Sequence, residues 1–350
     1  MKRIVLCIFI FSLFPLLNYG QTPTLPFYLS LDNHSIATID QKGNVETILK
    51  EPNHSNIVNI IEVFGHSIYY YTNDNRDNKF WRYDLNTRTH TLLLDKPYSY
   101  YSNKDENYIY FSSQHPDTNK VTCYAFKKDS NQIAKQTVLN IPSTQLTNAS
   151  RIQVTYVDGN YFYYTIESNT PPLQYTSYRI KDNKTSEKIA DGAIRILHKN
   201  KDTFFYKLIP SLLSPVDLYK SDLNFTKPIC IAEDIASVRI QNQTLYYLES
   251  AVNERTLYSM PLDQITPQKV ITGLIHPLFV PTNDKVYYLD TTHCNNPNYD
   301  IMAPSDHYVD SYIGNNTLTG DLYEYDLKTK QKTLLSKVPI SALYRTPLLP

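Results

Sequence analysis

The sequence predicts an all-β fold, a seven-bladed β-propeller with four-stranded antiparallel blades. Its composition of 31 Tyr and 13 Phe against 8 Gly favours strands, because aromatic side chains fit a pleated, half-buried surface. An apolar-aromatic doublet also recurs at intervals of 42, 40, 53, 42, 41 and 41 residues, a period typical of one blade. The doublets are Phe27-Tyr28, Tyr69-Tyr70, Ile109-Tyr110, Phe162-Tyr163, Phe204-Phe205, Leu245-Tyr246 and Val286-Tyr287.

Each doublet marks the second strand of a predicted blade. An inner strand such as Ile57 to Phe64 precedes it, and an aromatic-Asp strand such as Phe80 to Leu85 follows, then an outer strand such as Thr91 to Leu94. The first blade lacks an inner strand, so we expect Ile340 to Thr346 to supply it and close the ring. The doublet aromatics should fill the space between blades, and the Asp after the third strand should form a turn.

The N-terminus has the layout of a secretory signal peptide. Lys2 and Arg3 precede the apolar run Ile4 to Leu17, which is too short to span a bilayer as a helix. We therefore expect residues 1–20 to be removed and residues 21–350 to form one propeller domain, secreted to an extracellular or periplasmic location without membrane insertion. The 34 basic and 34 acidic side chains cancel, which argues against nucleic acid as a partner.

Three cysteines follow the predicted signal peptide, at Cys123, Cys230 and Cys294, and an odd number cannot all pair within one chain. Cys123 falls in the third predicted blade and Cys230 in the fifth. Because a disulfide needs Cα atoms within about 7 Å, we expect none between these two residues.

Sequence motifs for nucleotide, zinc or hydrolase sites are absent, so we predict no cofactor and no metal. Asn73, Asn75, Asp77 and Asp84 have the spacing of calcium-loop ligands, but Asn78 stands where that loop needs Gly, and a polar hairpin turn is favoured. Asn-x-Ser/Thr sequons, which would carry glycans in a eukaryotic source, all fall in predicted turns or loops. They are at Asn33, Asn53, Asn148, Asn183, Asn224, Asn242 and Asn315.

Tyr70 to Asp74, Tyr163 to Thr165 and Tyr287 to Asp290 resemble the Tyr-Trp-Thr-Asp strand of lipoprotein-receptor-type (YWTD-like) propellers. Arg82 to Thr87 resembles the next strand of that family, and TolB-like propellers resemble the chain about equally well. The resemblance implies an extracytoplasmic binding or scaffolding role.

Function is expected on the face that carries the connections from second to third strands and from outer strands to the next inner strands. The longest of these, residues 291–320 in blade seven, is the predicted functional element, and residues 140–150 form a second long connection. The candidate binding residues are His293, Tyr299, Asp300, Asp306, His307, Tyr308, Asp310 and Tyr312.

Two hypotheses about function follow from this face. The first is a binding module that recognises an extracellular protein or glycan without catalysis. The alternative is a polysaccharide-active enzyme, a lyase or hydrolase, with its site at the mouth of the central channel. The sequence leaves open whether the chain is an enzyme, although the lack of catalytic motifs favours binding.

Overall fold

In the residues that it describes, the computed structural model consists of β-strands and a short 3-10 helix at Ser143–Gln145. It describes residues 27–30, 34–51, 56–74, 77–96, 99–115, 118, 120–128, 130, 132–146, 149–169, 173–182, 184–211, 214–251, 254–290, 320–340 and 342–345. Within these ranges no helix has the length and hydropathy needed to cross a membrane.

Six sheets are each built from four consecutive antiparallel strands, which we number from the inner to the outer strand. The inner strands are β4 (Asn56–Phe64), β8 (Ser99–Lys104), β12 (Ala149–Asp158), β16 (Ala193–Asn200), β20 (Ile235–Gln241) and β24 (Ile275–Pro281). The second strands are β5 (Ser67–Asp74), β9 (Tyr108–Gln114), β13 (Tyr161–Ser168), β17 (Thr203–Ile209), β21 (Thr244–Glu249) and β25 (Lys285–Asp290).

The third and outer strands complete each of these sheets. The third strands are β6 (Asp77–Asp84), β10 (Lys120–Lys127), β14 (Tyr175–Lys181), β18 (Asp217–Asp222), β22 (Arg255–Pro261) and β26 (Gly320–Asp326). The outer strands are β7 (Thr89–Asp95), β11 (Ile133–Asn140), β15 (Ser186–Asp191), β19 (Ile229–Ala232), β23 (Gln268–Gly273) and β27 (Lys332–Ile340).

A further four-stranded sheet combines strands from both ends of the chain. Its order is β28-β1-β2-β3. These strands are β1 (Phe27–Ser30), β2 (Ser35–Ile39), β3 (Val45–Lys50) and β28 (Ala342–Arg345). Strands β1 and β28 pair antiparallel.

Two parts of the predicted fold class are corrected. The sequence predicted seven blades, whereas the structure forms six blades from consecutive strands and one composite sheet. The predicted closing strand, Ile340 to Thr346, has the wrong bounds: Ile340 is the last residue of β27 and pairs with Gly320, and the strand paired with β1 begins at Ala342. The architecture is an all-β propeller with four-stranded antiparallel blades.

The hydrophobic core lies between neighbouring sheets, as the doublets predicted. Tyr70, Phe204 and Phe205 have 0% exposure and belong to clusters that join adjacent sheets. Phe80 of one sheet packs on Phe111 of the next with ring centroids 4.2 Å apart. Burying these rings removes large apolar surfaces from water, which stabilises the packing of one sheet on the next.

The alternating strand directions place the connections at two ends of the sheets. We call the end with second-to-third and outer-to-inner connections the loop-rich face, and the other end the turn face. The turn face is built from short turns capped by carboxylates, as predicted for the Asp after the third strand. Asp84 Oδ1 accepts hydrogen bonds from the backbone of Asn86 (3.0 Å) and Thr87 (2.9 Å), and Asp326 caps its turn in the same way.

Candidate functional site

The eight candidate binding residues of the sequence prediction lie outside the described residues, as does the predicted signal peptide. Of the sequons, Asn224 and Asn242 are described, and both lie in exposed turns as predicted. Cys123 is a buried free thiol and Cys230 an exposed one, and a whole sheet, β12–β15, separates their strands β10 and β19. The predicted polar hairpin is confirmed, because β5 and β6 pair as far as Asp74 and Asp77.

A charged cluster lies at the loop-rich face, where the inner strands β12 and β16 begin. The guanidinium Nη2 of Arg151 is 2.6 Å from Oε2 of Glu167, and the side chains are 35% and 15% exposed. The Arg151 guanidinium also lies over the ring of Tyr100, 5.5 Å from its centroid. Tyr175 and Arg195 line the crevice beside this pair. We call Arg151, Glu167, Tyr175 and Arg195 the mouth cluster.

Strand register explains why these residues converge. Arg151 of β12 lies opposite Glu167 of β13, and Glu167 lies opposite Tyr175 of β14, so the three side chains share one face of the sheet. Arg195 comes from β16 of the next blade and closes the crevice. Because its volume is about 10 Å³, the crevice has room for about one water molecule and not for an organic ligand.

The surroundings of Arg151 keep its guanidinium charged. Burial lowers the pKa of the Arg151 guanidinium, but the carboxylate of Glu167 and the Tyr100 phenol offset this, and the pKa lies above its usual value. A partner would therefore meet a fixed guanidinium-carboxylate pair with one-third of the guanidinium side chain open to solvent.

Two connections beside the mouth cluster are held together by the backbone. Gln174 forms an isolated antiparallel bridge with Ser211 of the next blade. Within the first connection, the backbone N–H of Gln174 donates to Oγ of Ser168 at 2.9 Å. In the second, the hydroxyls of Ser211 and Ser214 are 2.7 Å apart. These contacts fix part of the rim that surrounds the cluster.

The loop-rich face also carries a repeated link between neighbouring sheets, which we call the blade straps. In each, a polar or charged side chain of one sheet hydrogen-bonds to the backbone of the next inner strand, within its first four residues or just before them. The atoms joined are Asn78 Nδ2 and Ser99 O (2.7 Å), Ile152 N and Gln114 Oε1 (2.9 Å), Ile194 N and Ser177 Oγ (2.8 Å), Asp234 N and Asp217 Oδ1 (3.0 Å), and Arg255 Nη1 and Ile275 O (3.0 Å). The straps hold the inner strands, and with them the mouth cluster, in place.

His276 lies beside the last of these straps and has only 1% exposure. Burial and the positive charge of Arg255 lower its pKa to about 3, so the imidazole is neutral at physiological pH. Its burial makes it part of the scaffold below the face. Among the residues that the structure describes, no group of three or more His, Cys, Asp or Glu side chains is placed to hold a metal ion.

The mouth cluster was not found from the sequence. The sequence directed attention to the connections, whereas Arg151, Glu167 and Arg195 stand on strands whose register had to be known first. The sequence did offer one signal: residues 140–150, predicted as a long connection on the loop-rich face, end directly before Arg151.

Comparison with known proteins supports the fold and no particular family. No family model and no curated protein matches the chain. Among solved structures, it is similar to the acylaminoacyl peptidase of Pyrococcus horikoshii, with a TM-score of 0.54 and 12% identity over 87% of this chain and 48% of that one. The chain thus spans about half the length of that peptidase.

Two further solved structures have the same level of similarity. The β-propeller domain of the Trilobed protease from Pyrococcus furiosus has a TM-score of 0.53 and 13% identity, over 87% of this chain and 90% of that one. A puromycin-hydrolyzing peptidase of Mycobacterium tuberculosis has a TM-score of 0.53 and 10% identity, over 93% of this chain and 52% of that one. At such identities the likeness shows the propeller fold alone.

Proposed function

We propose that this chain is a secreted binding module that recognises a protein or glycan partner through its loop-rich face. The observation that carries the proposal is the mouth cluster, in which Arg151, Glu167 and Tyr175 stand on rigid strands beside the bridge between Gln174 and Ser211. Arg and Tyr are enriched among residues that dominate binding energy, and sites on strands are held more accurately than sites on loops.

The size of the crevice determines how a partner would bind. Since it admits about one water molecule, the partner must lie across the face and present polar groups to the exposed part of Arg151. Carboxylate or hydroxyl groups of an acidic peptide or of a glycan are the fitting chemistry, because a guanidinium donates several hydrogen bonds in a fixed plane.

A double substitution of Arg151 and Glu167 to Ala tests the proposal. The mature chain is used to capture partners from the source organism's secretome and from a glycan array, and affinities are then measured for the captured ligand. We expect the double variant to bind at least about tenfold more weakly, because it removes the central polar contacts.

The turn face offers a matched control. Lys199 and Asp158 form an ion pair of 2.7 Å with side-chain exposures of 34% and 28%, close to those of the Arg151-Glu167 pair. Their substitution to Ala should leave binding unchanged. Equal loss of affinity in both variants would mean that partner binding does not depend on the loop-rich face.

A polysaccharide-active enzyme is the second candidate, favoured by one observation. The mouth cluster brings a carboxylate, a phenol and guanidinium groups together, and such groups can transfer protons and stabilise negative charge. Assays for new reducing ends and for unsaturated products would detect a hydrolase or a lyase. Activity that is lost in Glu167→Gln would favour the enzyme, and capture without turnover would favour the binding module.

Secretion is a separate part of the proposal and rests on the charged and apolar pattern of residues 1–20. N-terminal sequencing of the protein from culture supernatant should find a start at or near Gln21. Recovery of the chain only from the cell interior, with Met1 still present, would contradict secretion.

A further inference from the structure

We propose that a cavity between the sheets β8–β11 and β12–β15 is a binding site for a small aromatic carboxylate. The cavity lies toward the turn face, away from the mouth cluster, and its volume is about 290 Å³. An apolar cavity of about 150 Å³ is enough to bind benzene. The site therefore has room for a two-ring molecule with an acidic substituent.

The walls of the cavity are largely aromatic. Tyr108 and Tyr110 have ring centroids 6.1 Å apart and planes tilted by 47°, and Phe162 of the next sheet contributes another ring. The hydroxyl of Tyr110 donates to Oδ2 of Asp105 at 2.6 Å, and this hydrogen bond holds the ring in place. Burial, and to a lesser extent this bond to Asp105, raise the pKa of the phenol. Tilted rings of this kind favour a planar apolar ligand, which can contact one by its face and another by its edge.

One side of the cavity carries a lysine, and the carboxylate of Asp105 lies behind Tyr110. Among the described residues that line it, Lys135 alone carries a formal charge, and Thr137 lies two residues further along the same strand β11. Side chains two residues apart point to the same face of a sheet, so an ammonium and a hydroxyl are neighbours there. A ligand with a carboxylate can pair with Lys135 while its rings contact the tyrosines.

Cys123 belongs to the wall of the cavity. The residue is only 4% exposed, and burial raises the pKa of its thiol far above the usual value, so the thiol is a neutral, unreactive packing surface.

Calorimetry with naphthalene-2-carboxylate and the full chain tests the site. For a ligand of this size we expect a Kd of about 1 mM or below. Lys135→Gln should weaken binding by about tenfold through loss of the charged contact. Thr137→Trp should fill the cavity and abolish binding. Lys201→Gln, which replaces an exposed lysine in the turn between β16 and β17, is the control and should bind like wild type.

Several outcomes would overturn the proposal. They are the absence of binding at millimolar ligand, equal affinity for neutral naphthalene-2-methanol, and binding that persists in folded Thr137→Trp. Circular dichroism checks that each variant is folded. If Thr137→Trp does not fold, Lys135→Gln decides, because Lys135 is exposed and its replacement leaves the core intact.

Discussion

The two faces of the propeller hold neighbouring sheets together by different means. On the loop-rich face, the blade straps join a side chain of one sheet to the backbone of the next, as Asn78 does with Ser99. On the turn face, charged side chains take a larger part. Glu62 of β4 accepts from Lys104 of β8 (2.9 Å) and from Lys128 after β10 (2.8 Å). The loop-rich face thus links sheets by hydrogen bonds from a side chain to the main chain, whereas the turn face adds a buried ion pair between sheets.

Replacing Glu62 should produce the largest effect on stability. The carboxylate is 5% exposed and Lys128 is 9% exposed, so Glu62→Ala leaves a buried ammonium without its carboxylate. We expect the free energy of unfolding to fall by about 3–5 kcal/mol, measured from denaturant midpoints. Asp158→Ala, which breaks the more exposed pair with Lys199, should cost less than about 1 kcal/mol. An equal fall in the free energy of unfolding for both variants would show that the buried ion pair of Glu62 contributes no more than an exposed one.

A substitution at Gly192 tests how strictly one connection on the loop-rich face depends on its backbone conformation. Gly192 connects β15 to β16 with φ +127°, and an added Cβ would lie 2.8 Å from Cδ1 of Leu208. Gly192→Ala should therefore cost about 2–3 kcal/mol and weaken partner binding, because it displaces the start of β16. Gly273→Ala is the control, since a Cβ there meets nothing within 4 Å. Similar melting temperatures for both variants would show that the connection tolerates rearrangement.

His276 should make the folded chain less stable at acidic pH. Its pKa is about 3 in the folded chain and about 6.5 when unfolded, so between these values the unfolded state binds more protons. Stability should fall as the pH decreases from about 6.5, by about 2 kcal/mol at about pH 5, where the unfolded pKa exceeds the pH by about 1.5 units. His276→Gln should flatten this slope in unfolding experiments at several pH values. An unchanged slope would assign the acid sensitivity to other groups.

The capped turns of the turn face should give the smallest effect. The backbone N–H of Thr87 and desolvation act in opposite directions on the pKa of Asp84, and the net result is a pKa below its usual value. The cap is thus present above the unfolded pKa and is lost as the pH falls through the lower, folded value. Asp84→Ala should lower Tm slightly, and Asp84→Asn, which keeps an acceptor oxygen, should lower it less. A larger fall in Tm for Asp84→Asn than for Asp84→Ala would contradict the capping role.

The repeat was the part of the fold that the sequence predicted well. Aromatic doublets and turn-forming Asp residues act locally within one blade, so Tyr70 and Asp84 could be assigned from their spacing. The boundary of the last outer strand could not, because Ile340 is placed by its long-range pairing with Gly320. The mouth cluster could not be predicted for the same reason. Arg151 and Glu167 are sixteen positions apart, and only the bulged register of β12 and β13 brings them together.

The blade straps have a consequence for how this chain can change over evolutionary time. A strap that ends on a main-chain carbonyl or amide, as between Arg255 and Ile275, finds that atom whatever side chain the partner residue carries. Each blade can therefore accumulate substitutions without a compensating change in its neighbour. Drift of this kind preserves a fold while sequence similarity falls, and the solved structures that share the propeller fold with this chain are 10–13% identical to it.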